Sequence, residues 1–144
     1  MSWRDGPDDR GSTTLELVVW APGLLLIIGL LTVAGRVNSA NAAVEQAAVD
    51  AARTASSART AAGARDMARA SAQTTLAAQG LQCMTTTVVL DTSGFGTRPG
   101  QSATVSATVT CPVRLSDLSV PGLPGTRTVS HTATSSLDTF RERS

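Results

Sequence analysis

The stretch GSTTLELVVWAPGLLLIIGLLTVAG, residues 11–35, sets one acid, Glu16, directly before nineteen uncharged residues, 17–35. At about 1.5 Å per residue, a helix of that length covers nearly all of the roughly 30 Å hydrocarbon core of a bilayer. The run predicts a membrane-spanning helix that needs little tilt. A carboxylate is costly in hydrocarbon, at roughly 2.5 to 3.5 kcal/mol at the centre of a span and less toward the interface, so Glu16 points to a function or a partner. Its position also has a plain explanation. A first-turn acid can reach the headgroups and suits the positive end of the helix dipole. The small residue Gly11, five places earlier, offers the other reading. A cut between Gly11 and Ser12 would make Glu16 the fifth residue of the mature chain, one helical turn from a new amine at Ser12. Pro22, six residues into the run, removes one backbone hydrogen bond and predicts a kink, which membrane helices tolerate.

Before the run, residues 1–10 hold Trp3, Gly6, Pro7 and three Asp without apolar periodicity, and read as a short, solvated, disordered leader. After it, residues 37–79 are dominated by Ala with Glu, Gln, Arg and Met, all strong helix formers, so the membrane helix is expected to continue outward. Val37, Ala40, Val44, Ala47, Ala48 and Ala51 fall at three-four spacing and make a narrow apolar stripe, with Glu45, Gln46, Asp50 and Arg53 on other faces. Such a stripe suits either the chain's own domain or a neighbour's helix. Between 54 and 63 the pattern weakens through Ser56, Ser57, Thr60 and Gly63, which predicts a break. A second helix is expected from near Ala64, with Met67, Ala68, Ser71, Ala72, Leu76 and Ala77 to one side and Gly80 as its left-handed cap.

Past Gly80 the period changes from helix to strand. Ala103, Val105, Ala107, Val109 and Cys111 alternate with Ser102, Thr104, Ser106, Thr108 and Thr110, which predicts a strand with one apolar and one hydroxyl face. The β-branched run 84–90 is its expected partner through the Gly-rich loop 91–100, and 126–137 is a third strand. Pro112, Pro121 and Pro124 are expected to bracket the loop between the second and third strands. The reading is an α+β, membrane-anchored protein with a pilin-like layout: a spanning helix extended by an Ala-rich helix, a second helix, and a small three-stranded antiparallel sheet whose Val/Ala face the second helix can cover.

Composition narrows the functions. The net charge is +1, all twelve cationic residues are Arg, and no dense Arg cluster appears, so nucleic acid is not an expected partner. The few aromatic residues leave Ala, Val and Leu to build a small core that needs outside support. Cys83 and Cys111 can supply it: outside the cytoplasm a disulfide is their expected use, stabilising by roughly 3 to 4 kcal/mol in the chain-entropy model. Two Cys and a single His131 give no zinc spacing. His131 is in register with Val129 and Ala133, as for a half-buried strand residue, and Thr54, Ser56 and Ser57 read as a helix break rather than nucleophiles. No nucleophile motif or phosphate loop is present, so no enzyme, cofactor or metal is expected.

The phrase Arg10-Gly11-Ser12-Thr13-Thr14-Leu15-Glu16-Leu17, followed by Pro22 and a Leu/Ile-rich run, resembles the prepilin class III signal, and in particular the TadE-like pseudopilins of tight-adherence (Tad/Flp) pilus systems. Trp20 departs from the small or aliphatic residue usual there. The resemblance implies a membrane peptidase that cuts after Gly11, and a Glu16 that pairs with the N-terminal amine of an adjacent subunit. That pairing neutralises a carboxylate in a low-dielectric setting and sets the axial register, whereas a subunit lacking the acid leaves a charge unpaired. It also implies, as partners beside the lipid bilayer, the prepilin peptidase, other pilins or pseudopilins and the pilus assembly platform. The role is assembly or priming of the appendage rather than its bulk, since major subunits of these systems are much shorter.

The positive-inside count is nearly tied, Arg4 and Arg10 against Arg36 and Arg53. A cytoplasmic N-terminus is expected because it places the cysteines and strands outside, and because the resemblance implies it. The expected division is a cytoplasmic leader 1–11, a transmembrane helix 12–36, an Ala-rich helical region 37–80 with a break near 54–63, and an extracytoplasmic β region 81–144. Two alternatives stay open. One is an uncleaved anchor that presents a small binding domain. The other is a secreted domain cut near Ala40-Asn41-Ala42, although the apolar run is longer than a signal peptide's and the leader is not basic.

Overall fold

The computed structural model describes residues 10–117 and 124–139, with side chains described from residue 18 onward. Two compact units divide the chain, residues 1–35 and 36–144. Helix α1, Arg10–Ser56, starts in the first and ends in the second. Its assignment is unbroken at Pro22. In the first unit nearly every described side chain is exposed, with the large apolar ones from Val18 to Leu31 between 49% and 75% accessible. An apolar surface on all sides of a helix has no protein to bury it and suits a hydrocarbon solvent.

The second unit is an α+β domain. It holds the end of α1, helix α2 (Ala61–Ala78), and strands β1 (Thr87–Asp91), β2 (Ala103–Arg114) and β3 (Thr126–Leu137) in one antiparallel sheet of order β1-β2-β3. α1 ends where Ser56 and Ser57 turn their hydroxyls back onto the carbonyls of Arg53 and Thr54, each at 2.7 Å, while the Ser57 and Ala58 amides close tighter three-residue turns. Thr60 then caps α2 by accepting from the Gly63 amide at 3.1 Å. At the far end Gly80 takes φ +68°, the Gly80 amide reaches the Ala77 carbonyl, and the Leu81 amide reaches that of Leu76. This paired bonding is a Schellman cap, and Leu81 and Leu76 both join the core beside it.

One core cluster joins Ala40, Val44, Ala47, Ala48, Ala51, Ala52 and Ala55 of α1, Ala64, Ala68, Ala72 and Leu76 of α2, and the inner face of the sheet, Val105, Ala107, Val109, Cys111, Val113, Val129 and Leu137. The α1 stripe thus packs on its own domain, and α1 shares with α2 the cover that the sequence assigned to α2 alone. On α2 the buried positions recur strictly every fourth residue, so Met67 and Ala77, expected inside, are exposed. The outer sheet face carries paired hydroxyls: Ser106 with Thr134, Thr108 with Thr132, and Thr110 with Ser130, at 3.2, 2.8 and 2.9 Å.

Three further details differ from expectation. β1 starts at Thr87 rather than Met84, and a short 3₁₀ turn, Ser93–Gly96, stands in the loop read as irregular. Pro112 is not in a loop but within β2, opposite Thr128 of β3. The exception has a cause. In an antiparallel strand a residue's N–H and C=O point to the same side, and the Pro112 carbonyl accepts from the Met84 amide on the β1 side, past the last β1–β2 pair Thr87–Thr110. The missing N–H therefore costs no bond to β3.

Candidate functional site: the N-terminal helix

Gly11, Ser12 and Glu16 all lie in the first turns of α1 by backbone, and their side chains lie outside the described residues. Ser12 and Glu16 hold positions four apart on a continuous helix, so they share one face a turn apart. Beyond them, residues 18–35 would extend about 27 Å at ~1.5 Å per residue, close to a hydrocarbon core. This segment is long and apolar enough to cross a membrane and near the N-terminus, with none of its apolar window buried. Its described polar side chain, Thr32, donates to the Gly29 carbonyl at 2.7 Å, which satisfies the hydroxyl within the helix. Pro22 is exposed on this segment.

Cys83 and Cys111 are joined in a disulfide with Cα atoms 5.2 Å apart. It ties the segment before β1 to the buried face of the central strand, where Cys111 is fully inaccessible. His131 is half-buried on the inner side of edge strand β3, opposite Val109. Thr54 and Ser56 act as struts: the Thr54 hydroxyl donates to Ser71 of α2, and Ser56 accepts from Ser135 of β3, both at 3.2 Å. Among the described residues no group of three or more His, Cys, Asp or Glu is placed to hold a metal ion.

Sequence reading passed over Asp50, whose carboxylate links both helices through Thr75 and Gln46.

A helix that is apolar on every side, carries an acid at its start and runs into a small α+β domain gives a pilin-like layout with one candidate membrane span among the described residues. Residues 11–53 match the family model described as TadE-like protein, so this segment is similar to that family. The matched segment takes in Gly11, Ser12, Glu16 and the whole apolar run, and ends within α1. No curated protein and no solved structure matches the chain.

Proposed function

We propose that the chain is a minor pseudopilin of a Tad/Flp-type pilus system, a non-enzymatic subunit that helps assemble or prime the filament after a prepilin peptidase cuts between Gly11 and Ser12. The carrying observation is the TadE-like match over 11–53, which covers the cleavage motif, the acid and the span together. In this reading residues 1–11 are a cytoplasmic leader and 12–36 cross the membrane. Residues 37–80 and 81–144 form the helical and β parts of an extracytoplasmic domain. Glu16 accepts the Ser12 amine of a neighbouring subunit, an ion pair stronger in low dielectric than in water. Other pilins and the assembly platform are the partners.

The disulfide and the single apolar span support export of the domain. Burial of Ala40, Ala43 and Val44 speaks against cleavage after Ala42, because the product would lack part of the helix that covers the sheet.

The test is the mature N-terminus of membrane-extracted protein, read by intact mass and N-terminal peptide mapping. The expected chain begins at Ser12. A start at Met1 or Ser2 would leave an uncleaved anchor, and a start at Ala43 a secreted domain, and either overturns the proposal. Glu16→Ala is expected to insert normally but to abolish pilus assembly, and full assembly by that variant would remove the assigned role of Glu16.

A further inference from the structure

β3, Thr126–Leu137, is an edge strand that pairs with β2 on one side only. Pro112 fixes which of its main-chain groups are free. The Pro112 carbonyl bonds to Met84 on the β1 side, so the Pro112–Thr128 pair exchanges no hydrogen bond, and the Thr128 N–H and C=O point away from β2 as well. The same orientation recurs at every second residue, at Ser130, Thr132, Thr134 and Ser136. No hydrogen bond from another described residue reaches these main-chain groups, and all of these residues are exposed. Native sheets guard such an edge with charges, proline, bulges or a short strand. Those guards are missing here: residues 128–137 hold no Pro, Lys, Arg, Asp or Glu, and the register with β2 runs unbroken through all of β3. The opposite edge strand, β1, has only 5 residues and ends in Asp91.

We propose that the free edge of β3, residues 128–136, is a strand-addition site for an extended, uncharged segment of another protein, in which small or β-branched apolar residues alternate with Ser or Thr. Such a segment can exchange about ten main-chain hydrogen bonds with the edge, as many as a typical protein interface holds. Its composition follows from the two margins of β3. On the outer side stand hydroxyls, and those of Ser130, Thr132 and Thr134 already pair with hydroxyls of β2. On the inner side His131, Ala133 and Ser135 are half-buried, so small apolar groups beside them complete their cover. A charged side chain there would lose hydration and meet no opposite charge, because 128–137 hold none. β2 shows the pattern that meets both demands on the other side of β3, with Val105, Ala107 and Val109 inward and Ser106, Thr108 and Thr110 outward. A second copy offers less, since its β3 would bring His131 and Ser135 to the inner margin and its β1 is short. The proposal goes beyond the pseudopilin reading and depends on neither the cut nor the span.

The experiment uses the full chain in detergent micelles and, as probe, a synthetic peptide of residues 103–111 carrying Cys111→Ser, with amide hydrogen exchange read residue by residue by NMR. At about 1 mM peptide, exchange of the Thr128, Ser130, Thr132, Thr134 and Ser136 amides is expected to slow about ten-fold, while the Val129, His131 and Ala133 amides, which face β2, do not change. N-methylation of the peptide at Thr104, Ser106, Thr108 and Thr110, whose N–H groups would face β3, should abolish the effect. Methylation at Val105, Ala107 and Val109 should leave it. In the chain, Thr132→Pro should weaken the peptide's effect about ten-fold and spare the protection of Val129 and Ala133, as Pro112 spares the bonds between β2 and β3. No slowing, or equal slowing by both methylated peptides, overturns the proposal. Slowing that grows with chain concentration in the absence of peptide gives the edge to a second copy and overturns the assigned partner. The methylated peptides need no variant of the chain, so the test holds even if Thr132→Pro harms folding.

Discussion

The Asp50 carboxylate of α1 accepts a hydrogen bond from the Thr75 hydroxyl of α2 at 2.9 Å, and its other oxygen accepts one from Gln46, a turn earlier on α1, at 2.9 Å. Where two helices meet largely through alanine, side chains give few knobs to fix how far one slides along the other. A directional bond at Asp50, followed along the same seam by Thr54 to Ser71, can set that register. Thr75→Val is expected to lower stability by about 1 kcal/mol, below the range for hydrogen bonds to buried charges because the pair is half-solvated. An Asp50→Ala/Thr75→Val double-mutant cycle, read by urea unfolding, should give a coupling of similar size. A coupling near zero would assign the register to packing alone.

The disulfide closes a loop with a sequence separation of 28. In the chain-entropy model, removing it as Cys83→Ser/Cys111→Ser should cost about 3 to 4 kcal/mol. With Cys111 inaccessible, the bond should also resist a thiol reductant under native conditions and yield once denaturant opens the domain. Labelling of freed thiols against denaturant concentration checks both statements.

Gly94 sits in the 3₁₀ turn with the Thr104 carbonyl and the Leu137 side chain where a Cβ would go. The carbonyl belongs to the backbone of β2 and cannot swing away. Gly94→Ala should therefore destabilise by about 1 to 3 kcal/mol, the range for overpacking. Gly96→Ala, two residues on with open space around it, should be close to neutral. Equal melting temperatures for the two variants would contradict the close approach.

Asp91 accepts a hydrogen bond from the Ser93 amide at 3.0 Å, and this backbone bond, followed by the Ser93 hydroxyl, holds its carboxyl below the ordinary 3.8 despite full exposure. A carboxylate with a depressed folded value stabilises the fold above its unfolded value, and that contribution fades as pH falls through the lower folded value. The expected sign is thus a turn that is intact at neutral pH and loosens in acid below about pH 4. In an NMR titration the Ser93 amide should shift with the Asp91 midpoint, and Asp91→Ala should abolish that shift.

Much of this fold was readable because its punctuation is local. Gly80 ends α2 with the positive φ that only glycine adopts easily, and the alternation from Val105 to Cys111 is the buried face of β2. What escaped depends on partners distant in sequence. Pro112 looks like a strand end until Met84 is seen to occupy its carbonyl, and Met67 looks like a core residue until the strict four-residue period of Ala64, Ala68, Ala72 and Leu76 turns it outward. The α1 stripe was legible as apolar, but nothing in it named the sheet as its cover. At the site, the Gly11–Glu16 spacing was visible at once, since it is read directly along the chain. The Asp50–Thr75 bond was not, because it is assembled by folding.

The inner face of α1, alanine except for Val44, has a consequence for timing. The chain is made from its N-terminus, so residues 40–55 exist well before Val105, Val109 and Val129 arrive to cover them. A waiting face of leucine or phenylalanine would attract other unfinished chains or be held as a second segment in lipid. Alanine is a strong helix former yet exposes little apolar surface per residue, so the helix can stand uncovered while the rest of the chain is made and still close against the sheet when that sheet is complete.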